Sequence, residues 1–226
     1  MAQLTIAIPK GRLEAETLEL FAAAGLRLPA GRDPRQLACL DESGETRFIF
    51  VKPSDVPVYV EHGIADCGVV GRDVLFESEA DLLQPLSLEI GSCRIAVAAP
   101  ADLPENGHSM LRVATKYPRI ASRYFGERGQ PVEIIQLSGS VELAPVLGLA
   151  DCIVDLVETG RTLRENGLEV TEVIAESAAQ LVVNRASYQL KAAVIAGLIS
   201  ALKGVVLARS GTGVPPVSHA QDARST

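Results

Sequence analysis

Short apolar runs alternate along this chain with stretches in which apolar residues recur at helical spacing. Leu4–Ile8 reads as a buried strand, Pro9-Lys10-Gly11-Arg12 as a turn, and Leu13–Ala24 as a helix. That helix places Leu13, Thr17, Leu20, Phe21 and Ala24 on one face, and Gly25 stops it. Leu37–Leu40 and Arg47–Val51 form an expected hairpin around Ser43-Gly44. Asp55 is placed to cap a short helix through Val60, ended by Gly63. Cys67–Val70 is a short strand running into Gly71-Arg72-Asp73, and Arg94–Ala99 is another, closed by Pro100. The second half repeats the theme. Strands are expected at Arg112–Thr115, Val132–Leu137, Cys152–Val157 and Leu181–Asn184. Helices are expected at Pro118–Arg128, Val141–Leu149, Arg161–Asn166 and Tyr188–Leu202.

Strands alternating with helices imply an α/β fold of βαβ units with largely parallel sheets. In such sheets ligands bind beyond the carboxyl ends of the strands, where glycine turns lead into helices. Residues 100–109 are polar and turn-rich, a candidate junction between lobes. The last stretch, from Ser210-Gly211-Thr212-Gly213 to Thr226, has no periodicity and reads as a disordered tail.

With 226 residues, 47% of them hydrophobic, the chain is long and apolar enough to fold as one large domain or two small lobes. No apolar run reads as long enough to cross a bilayer, and the N-terminus carries no basic patch ahead of an apolar stretch, so a cytoplasmic protein is expected. Cys39, Cys67, Cys93 and Cys152 form no Cys-x-x-Cys pair and only three histidines accompany them, so no structural metal site is expected and the thiols read as free. The net charge of −7 and the lack of a Lys/Arg cluster argue against nucleic-acid binding. An acidic protein binds polyphosphate by gathering a few cations in a cleft. Attention therefore falls on single Lys and Arg residues beside glycines.

The sharpest such place is Cys152-Ile153-Val154-Asp155-Leu156-Val157-Glu158-Thr159-Gly160-Arg161-Thr162-Leu163. A β-rich run feeds a Thr-Gly-x-Thr turn and a helix starts at once. Unpaired N–H groups and the helix dipole favour an anion there, Gly160 lets it approach closely, and Thr159 and Thr162 add hydroxyl donors. Asp155 and Glu158 accept hydrogen bonds, so they suit ribose hydroxyls. A plain helix cap by Thr159 explains the short turn alone about as well. The second signal is Ile6-Ala7-Ile8-Pro9-Lys10-Gly11-Arg12-Leu13, with two cations at the carboxyl end of a strand.

The whole strand–acid–Thr-Gly-x-Thr–helix unit resembles the phosphoribosyl pyrophosphate (PRPP) loop of phosphoribosyltransferases. Further pieces extend the likeness: Val51-Lys52-Pro53-Ser54-Asp55-Val56-Pro57, Ala65-Asp66-Cys67-Gly68-Val69-Val70-Gly71-Arg72-Asp73-Val74-Leu75, Arg112-Val113-Ala114-Thr115-Lys116-Tyr117-Pro118 and Leu137-Ser138-Gly139-Ser140-Val141-Glu142-Leu143-Ala144-Pro145. In this order they resemble the short form of the ATP phosphoribosyltransferase family, nearly throughout to about Leu202.

The resemblance implies two α/β lobes facing each other across a cleft, as in type II periplasmic binding proteins. Residues 1–95 with 178–208 are expected to form one lobe and 96–177 the other, with 209–226 as the tail and no C-terminal regulatory domain. It implies that Asp155, Glu158, Thr159, Gly160, Arg161, Thr162 and Leu163 hold PRPP. Lys10, Arg12 and Lys52 would be catalytic, and Gly11, Gly71, Arg72, Asp73, Lys116 and Tyr117 would line the ATP side. Position 52 departs from the family, which commonly has Arg; Lys offers a point charge in place of a planar fork. The implied reaction joins N1 of ATP to C1 of the ribose and expels pyrophosphate, with Mg²⁺ as cofactor and no strong general base. The implied partner is a regulatory subunit related to histidyl-tRNA synthetase, in a hetero-octamer, with a homodimer when the chain is alone. Two other readings remain open at this point: a two-lobed anion-binding protein without catalysis, and a phosphoribosyltransferase acting on a free base.

Overall fold

The computed structural model describes residues 4–33, 35–101 and 110–211. In chain order its elements are β1 (Leu4–Pro9), α1 (Glu14–Ala23), β2 (Ala38–Leu40), β3 (Thr46–Val51), α2 (Val56–Glu61), β4 (Cys67–Gly71), α3 (Arg72–Ser78), β5 (Leu83–Ser87) and β6 (Cys93–Pro100). The remainder are β7 (Leu111–Thr115), α4 (Pro118–Glu127), β8 (Val132–Gln136), α5 (Leu143–Val146), β9 (Cys152–Val157), α6 (Arg161–Glu165), β10 (Leu168–Ser177), β11 (Ala179–Val183), α7 (Arg185–Leu190) and α8 (Ala192–Ser210).

Two sheets result, each the floor of one lobe. The first has the order β2-β3-β1-β4-β11-β5 and the second β10-β6-β9-β7-β8. The chain passes from the first sheet to the second between β5 and β6, and returns between β10 and β11. β6 and β10 pair with each other, Cys93 opposite Ser177, so the two crossings lie side by side. That juxtaposition makes a hinge of two adjacent strands.

The first core is built from Ile6, Ile8, Leu20, Phe21, Phe48, Val69 and Leu181, all fully buried. α1 contributes the face read from its spacing: Leu13, Thr17, Leu20 and Phe21 are buried and Ala24 packs against them. The second lobe buries Ile95, Val113, Ala121 and Val154 on one face of its sheet and Ala96, Ala114, Val141 and Ile153 on the other. Covering both faces of a sheet demands near-continuous apolar strands, and β4, buried at all five positions, is the clearest case.

Several expectations are corrected. The sheets are mixed: β1 pairs parallel with β3 and β4, and β7 with β8 and β9, but besides the expected β2–β3 hairpin β5, β6, β10 and β11 pair antiparallel. The hinge is the physical reason, because strands that leave and re-enter a sheet directly run against their neighbours. β5, β10 and α3 lie where no element was placed. The expected helix Val141–Leu149 shrinks to Leu143–Val146, flanked by left-handed Ser140 (φ 47) and Gly148 (φ 72). Asp55 stands at the N-cap of α2 without a side-chain cap bond, its carboxylate accepting from Ser54 Oγ at 3.0 Å instead.

The expected helix Tyr188–Leu202 becomes α7 and α8, broken at Lys191, whose Nζ pairs with the Asp66 carboxylate at 2.8 Å. α8 is 19 residues long with a mean hydropathy of 1.8 over an 18-residue stretch, long and apolar enough to cross a membrane by length and composition, contrary to the expectation from the chain. Lys203 interrupts the apolar letters without interrupting the helix. In the fold, Ile195, Leu198, Leu202 and Val206 form a buried stripe on the first core. The expected tail lies largely outside the described residues, although α8 continues to Ser210; most of the candidate junction at 100–109 lies outside them too.

Candidate active site

β9 sits between β6 and β7 in the middle of its sheet, with β7 holding Cys152–Val154 and β6 holding the strand to its carboxyl end at Val157. At that end Glu158 and Thr159 turn the chain, and Gly160 starts α6 with φ 70 and ψ 10. Only glycine adopts this left-handed geometry without strain. The N–H of Arg161 points to Thr159 Oγ1 at 3.4 Å, a weak local cap that coexists with an open helix start. Asp155, Leu156, Val157, Glu158, Thr159, Gly160, Arg161, Thr162 and Leu163 line a cavity of about 360 Å³ together with Arg12, Cys93, Lys116, Ser140 and Glu142.

A second cavity of about 590 Å³ adjoins it between the lobes, lined by Arg12, Lys52, Pro53, Ser54, Gly71, Asp73, Val74, Glu77, Lys116, Tyr117, Ser138 and Leu156 among others. Arg12, Lys116 and Leu156 line both, so the two form one cleft. Residues far apart in the chain meet here because strand ends from both sheets face the same gap. The cations on it are Arg12, Lys52, Lys116 and Arg161.

Arg12 spans the gap. Its guanidinium lies 3.4 Å from the Gly91 carbonyl and 3.7 Å from Cys93 Sγ on the near side, and 3.7 Å from the Glu158 carboxylate on the β9–α6 side. Tyr117, at the start of α4, is half-buried against the second core and donates its hydroxyl proton to Asp73 Oδ2 at 3.2 Å, across the lobes. Asp73 is buried; its other oxygen accepts from Ser177 Oγ at 2.9 Å, and its N–H donates to the same Oγ at 3.1 Å. The carboxylate folds back over the start of α3 so closely that a Cβ at Gly71 would collide with it, which explains that glycine.

Burial pushes the Asp155 carboxyl above the usual carboxylate range, against the pull of the Leu156 N–H and of Lys116. Burial raises the Tyr117 phenol too, with Asp73 and Asp155 adding to it, so the hydroxyl stays a donor. All four cysteines are free, and burial raises each thiol, Cys152 to about 12.

Most of the residues expected from the sequence meet in this cleft: Arg12, Lys52, Gly71, Asp73, Lys116, Tyr117 and the loop from Asp155 to Leu163. Three do not line either cavity. Lys10 donates its backbone N–H to Val51 O at 2.8 Å beside the cleft, Gly11 forms the turn next to it with φ 90, and Arg72 turns outward over the Phe76 ring at 5.3 Å. Ser138, Ser140 and Glu142 lie in a motif quoted above but went unassigned as site residues; they join through the β8–α5 connection. Glu77, Cys93 and Ser177 carry no local signal at all. Of the histidines, His62 ends α2 and is exposed, while His108 and His219 lie outside the described residues. No cluster of three or more His, Cys, Asp or Glu able to hold a metal ion occurs among the described residues.

The family model for HisG, ATP phosphoribosyltransferase, matches residues 52–204. The ATP phosphoribosyltransferase of Caldanaerobacter subterraneus subsp. tengcongensis is 48% identical, covering 90% of this chain and 97% of its own length. That of Bacillus licheniformis is 50% identical, covering 90% and 96%. Among solved structures, the ATP phosphoribosyl transferase (HisG:HisZ) complex from Thermotoga maritima superposes with a TM-score of 0.80 at 38% identity, over 92% of this chain and 99% of that one. The periplasmic aliphatic sulphonate binding protein SsuA from Escherichia coli shares the fold, with a TM-score of 0.56 at 14% identity over 92% and 74%. The two lobes are thus of the type II periplasmic-binding-protein kind, and by sequence and architecture together the chain belongs to the ATP phosphoribosyltransferase family.

Proposed function

We propose that this chain is a short-form catalytic subunit that transfers phosphoribosyl from PRPP to N1 of ATP, the first step of histidine biosynthesis. The observation that carries the reading is the phosphate loop at Thr159–Thr162 opening into a cation-lined cleft between the lobes. The bond from ribose C1 to the pyrophosphate oxygen breaks as the bond from C1 to adenine N1 forms. The nucleophile is a neutral ring nitrogen with a free lone pair, so no strong base is required. Asp155 and Glu158 flank the loop, and their task is to hold ribose hydroxyls.

In this reading the N–H groups of Gly160 and Arg161 take the 5′-phosphate at the start of α6. Arg12 and Lys52 face the pyrophosphate as it leaves, and Gly71, Asp73, Lys116 and Tyr117 border the nucleotide; Lys10, Gly11 and Arg72, outside both cavities here, reach the substrates only if the lobes move together. Holding both substrates in line across the gap is the main catalytic device. Lys52, in place of the arginine common in the family, supplies charge without a bidentate fork. Mg²⁺ neutralises the polyphosphates when bound. Such an ion takes one or two carboxylates plus substrate oxygens, so the sparse set of Asp155, Glu142 and Glu158 fits it better than a protein cage would.

We assign residues 1–95 and 178–208 to one lobe and 96–177 to the other, on the strength of the strand crossings at β6 and β10. The Thermotoga maritima structure is a complex of HisG with HisZ. A separate regulatory subunit, related to histidyl-tRNA synthetase and assembled as a hetero-octamer, is the matching expectation here, with a homodimer when the chain is alone and a cytoplasmic location.

The test is incubation of the purified chain with ATP, PRPP and Mg²⁺ while pyrophosphatase removes one product, with phosphoribosyl-ATP read by mass spectrometry. Product supports the reading. PRPP binding with no product, with or without the regulatory subunit, would leave an anion-binding protein. Histidine added to the lone chain is expected to change the rate by less than about twofold, because coupling requires a second site that biases the same equilibrium.

A further inference from the structure

On the side of the hinge away from the cleft lies a second interlobe cavity, of about 250 Å³. α3 is the partition between the two. Its Gly71, Asp73, Val74, Glu77 and Ser78 line the cleft, whereas Phe76 and the capping Glu79 line the rear cavity. The opposite wall is α4, with Arg119, Ile120, Arg123, Tyr124 and Glu127, and the floor is the hinge pair itself, Ile95 facing Ala175 beside Ile174. None of the chemistry above uses it.

The lining has two parts. Ile174, Ala175 and the Phe76 ring make an apolar bed over the buried Ile95 and Ile120. Three guanidinium groups stand over it: Arg119 and Arg123, both turned to the Glu79 carboxylate at 3.3 and 3.6 Å, and Arg128, stacked on the Tyr124 ring at 3.7 Å. Arg128 is paired with Glu172 at 2.8 Å, whereas Arg119 and Arg123 share the single Glu79 carboxylate, so the cationic end of the cavity is the Arg119–Arg123 pair. The Arg119 and Arg123 pairs are more than half exposed, so exchanging Glu79 for another carboxylate costs little. The volume falls just below the range of about 300–1,000 Å³ usual for drug-sized ligands, which limits the occupant to one ring with a short arm.

We propose that this rear cavity is a binding site for a small aryl or branched-alkyl carboxylate, its apolar part on the Phe76–Ile174–Ala175 bed and its carboxylate on Arg119 and Arg123. Glu79 is then an internal competitor. Arg119 also donates to the Glu77 and Ser78 carbonyls at 3.2 and 3.3 Å, and Glu77 Oε atoms accept from the N–H groups of Arg119 and Ile120 at 3.1 Å. A ligand on these arginines therefore sits where α3 of one lobe is tied to α4 of the other.

The test uses phenylacetate as the probe and saturation-transfer NMR on the full chain without substrates, so its result does not depend on the proposed activity. Binding at millimolar concentration is expected, with no signal for phenethylammonium. Arg123→Glu is expected to weaken phenylacetate at least about tenfold, and Ala175→Phe to remove it by filling the bed. Glu79→Gln is expected to tighten it by about two- to fivefold, the worth of an exposed ion pair. Saturating PRPP is expected to leave the signal in place. No binding to the wild type, equal binding in Arg123→Glu, no gain in Glu79→Gln, or displacement by PRPP would each overturn the proposal. Arg123 is a surface side chain, so that variant stays informative if Ala175→Phe fails to fold.

Discussion

Replacing Gly160 by valine isolates what the proposed phosphate loop does. The residue stands at φ 70, ψ 10, where an L side chain costs about 1–2 kcal/mol, and a β-branched one lies at the upper end. A Cβ there would stand 3.2 Å from Arg164 Nη1 and 3.7 Å from Val157 Cγ1. Arg164 is exposed and swings away, losing its 3.2 Å bond to the Thr159 carbonyl, worth about 0.5–1.5 kcal/mol. Backbone strain and the lost bond together come to about 2–3 kcal/mol. That is below the total stability of about 5–15 kcal/mol, so the variant folds, with a melting temperature lower by roughly 5–10 °C. Binding suffers more. If the loop relaxes, two N–H groups leave the phosphate, each worth about 1.5–3 kcal/mol toward a charged partner, which is a loss of at least about 100-fold in PRPP affinity. Calorimetric titration of PRPP into folded Gly160→Val, beside its thermal unfolding, measures both. A melting temperature that falls as stated with a Kd within twofold of wild type would refute the reasoning, because the phosphate would then be held elsewhere. An unchanged melting temperature would refute the left-handed assignment itself.

Lys52→Ala and Lys10→Ala are expected to lower kcat/KM with melting temperatures changed by less than about 2 °C, since both side chains lie in turns where substitutions cost about 0.5 kcal/mol or less; a variant that unfolds but keeps its activity per folded molecule would make that lysine structural. Tyr117→Phe removes the proton given to Asp73 across the lobes and is expected to raise the ATP KM, with a stability loss of about 1.5–3 kcal/mol seen in urea unfolding; no change in either would mean the 3.2 Å contact is idle. Asp155→Asn is expected to weaken PRPP binding yet stabilise the substrate-free chain at neutral pH. The folded-state pKa of Asp155 is raised, so its neutral form is favoured in the fold, and that contribution is present below the unfolded value and lost as pH rises through the folded one. The gain in melting temperature over wild type should therefore hold at pH 7 and close as pH falls toward 3.8; a gap independent of pH would contradict the burial of this group.

What the chain alone settled were features made by neighbours in sequence. The Cys152–Val157 strand, the Thr159-Gly160 turn and the helix behind it are one local unit, and a helix start binds anions by its own unpaired N–H groups. The buried face of α1 followed from its period, and Arg12 and Arg161 stood out beside glycines, whereas Lys52 and Lys116 came only from the resemblance. The elements that escaped had local patterns at odds with their final place. β5 holds Pro85, tolerable because the strand lies at the sheet edge. β10 breaks its alternation at two irregularities in its pairing with β6, so no period of two survives along it. Strand direction was equally out of reach, since nothing in a strand's own letters says which way its neighbour runs. Only the fold decided the interlobe contacts. Tyr117 meets Asp73 across 44 positions and Asp73 meets Ser177 across 104, because two strands cross between the sheets side by side and bring α3 against α4. Tertiary packing alone creates such pairs: what holds them is the closing of two cores against each other, and no stretch of sequence short enough to read by its period contains both partners.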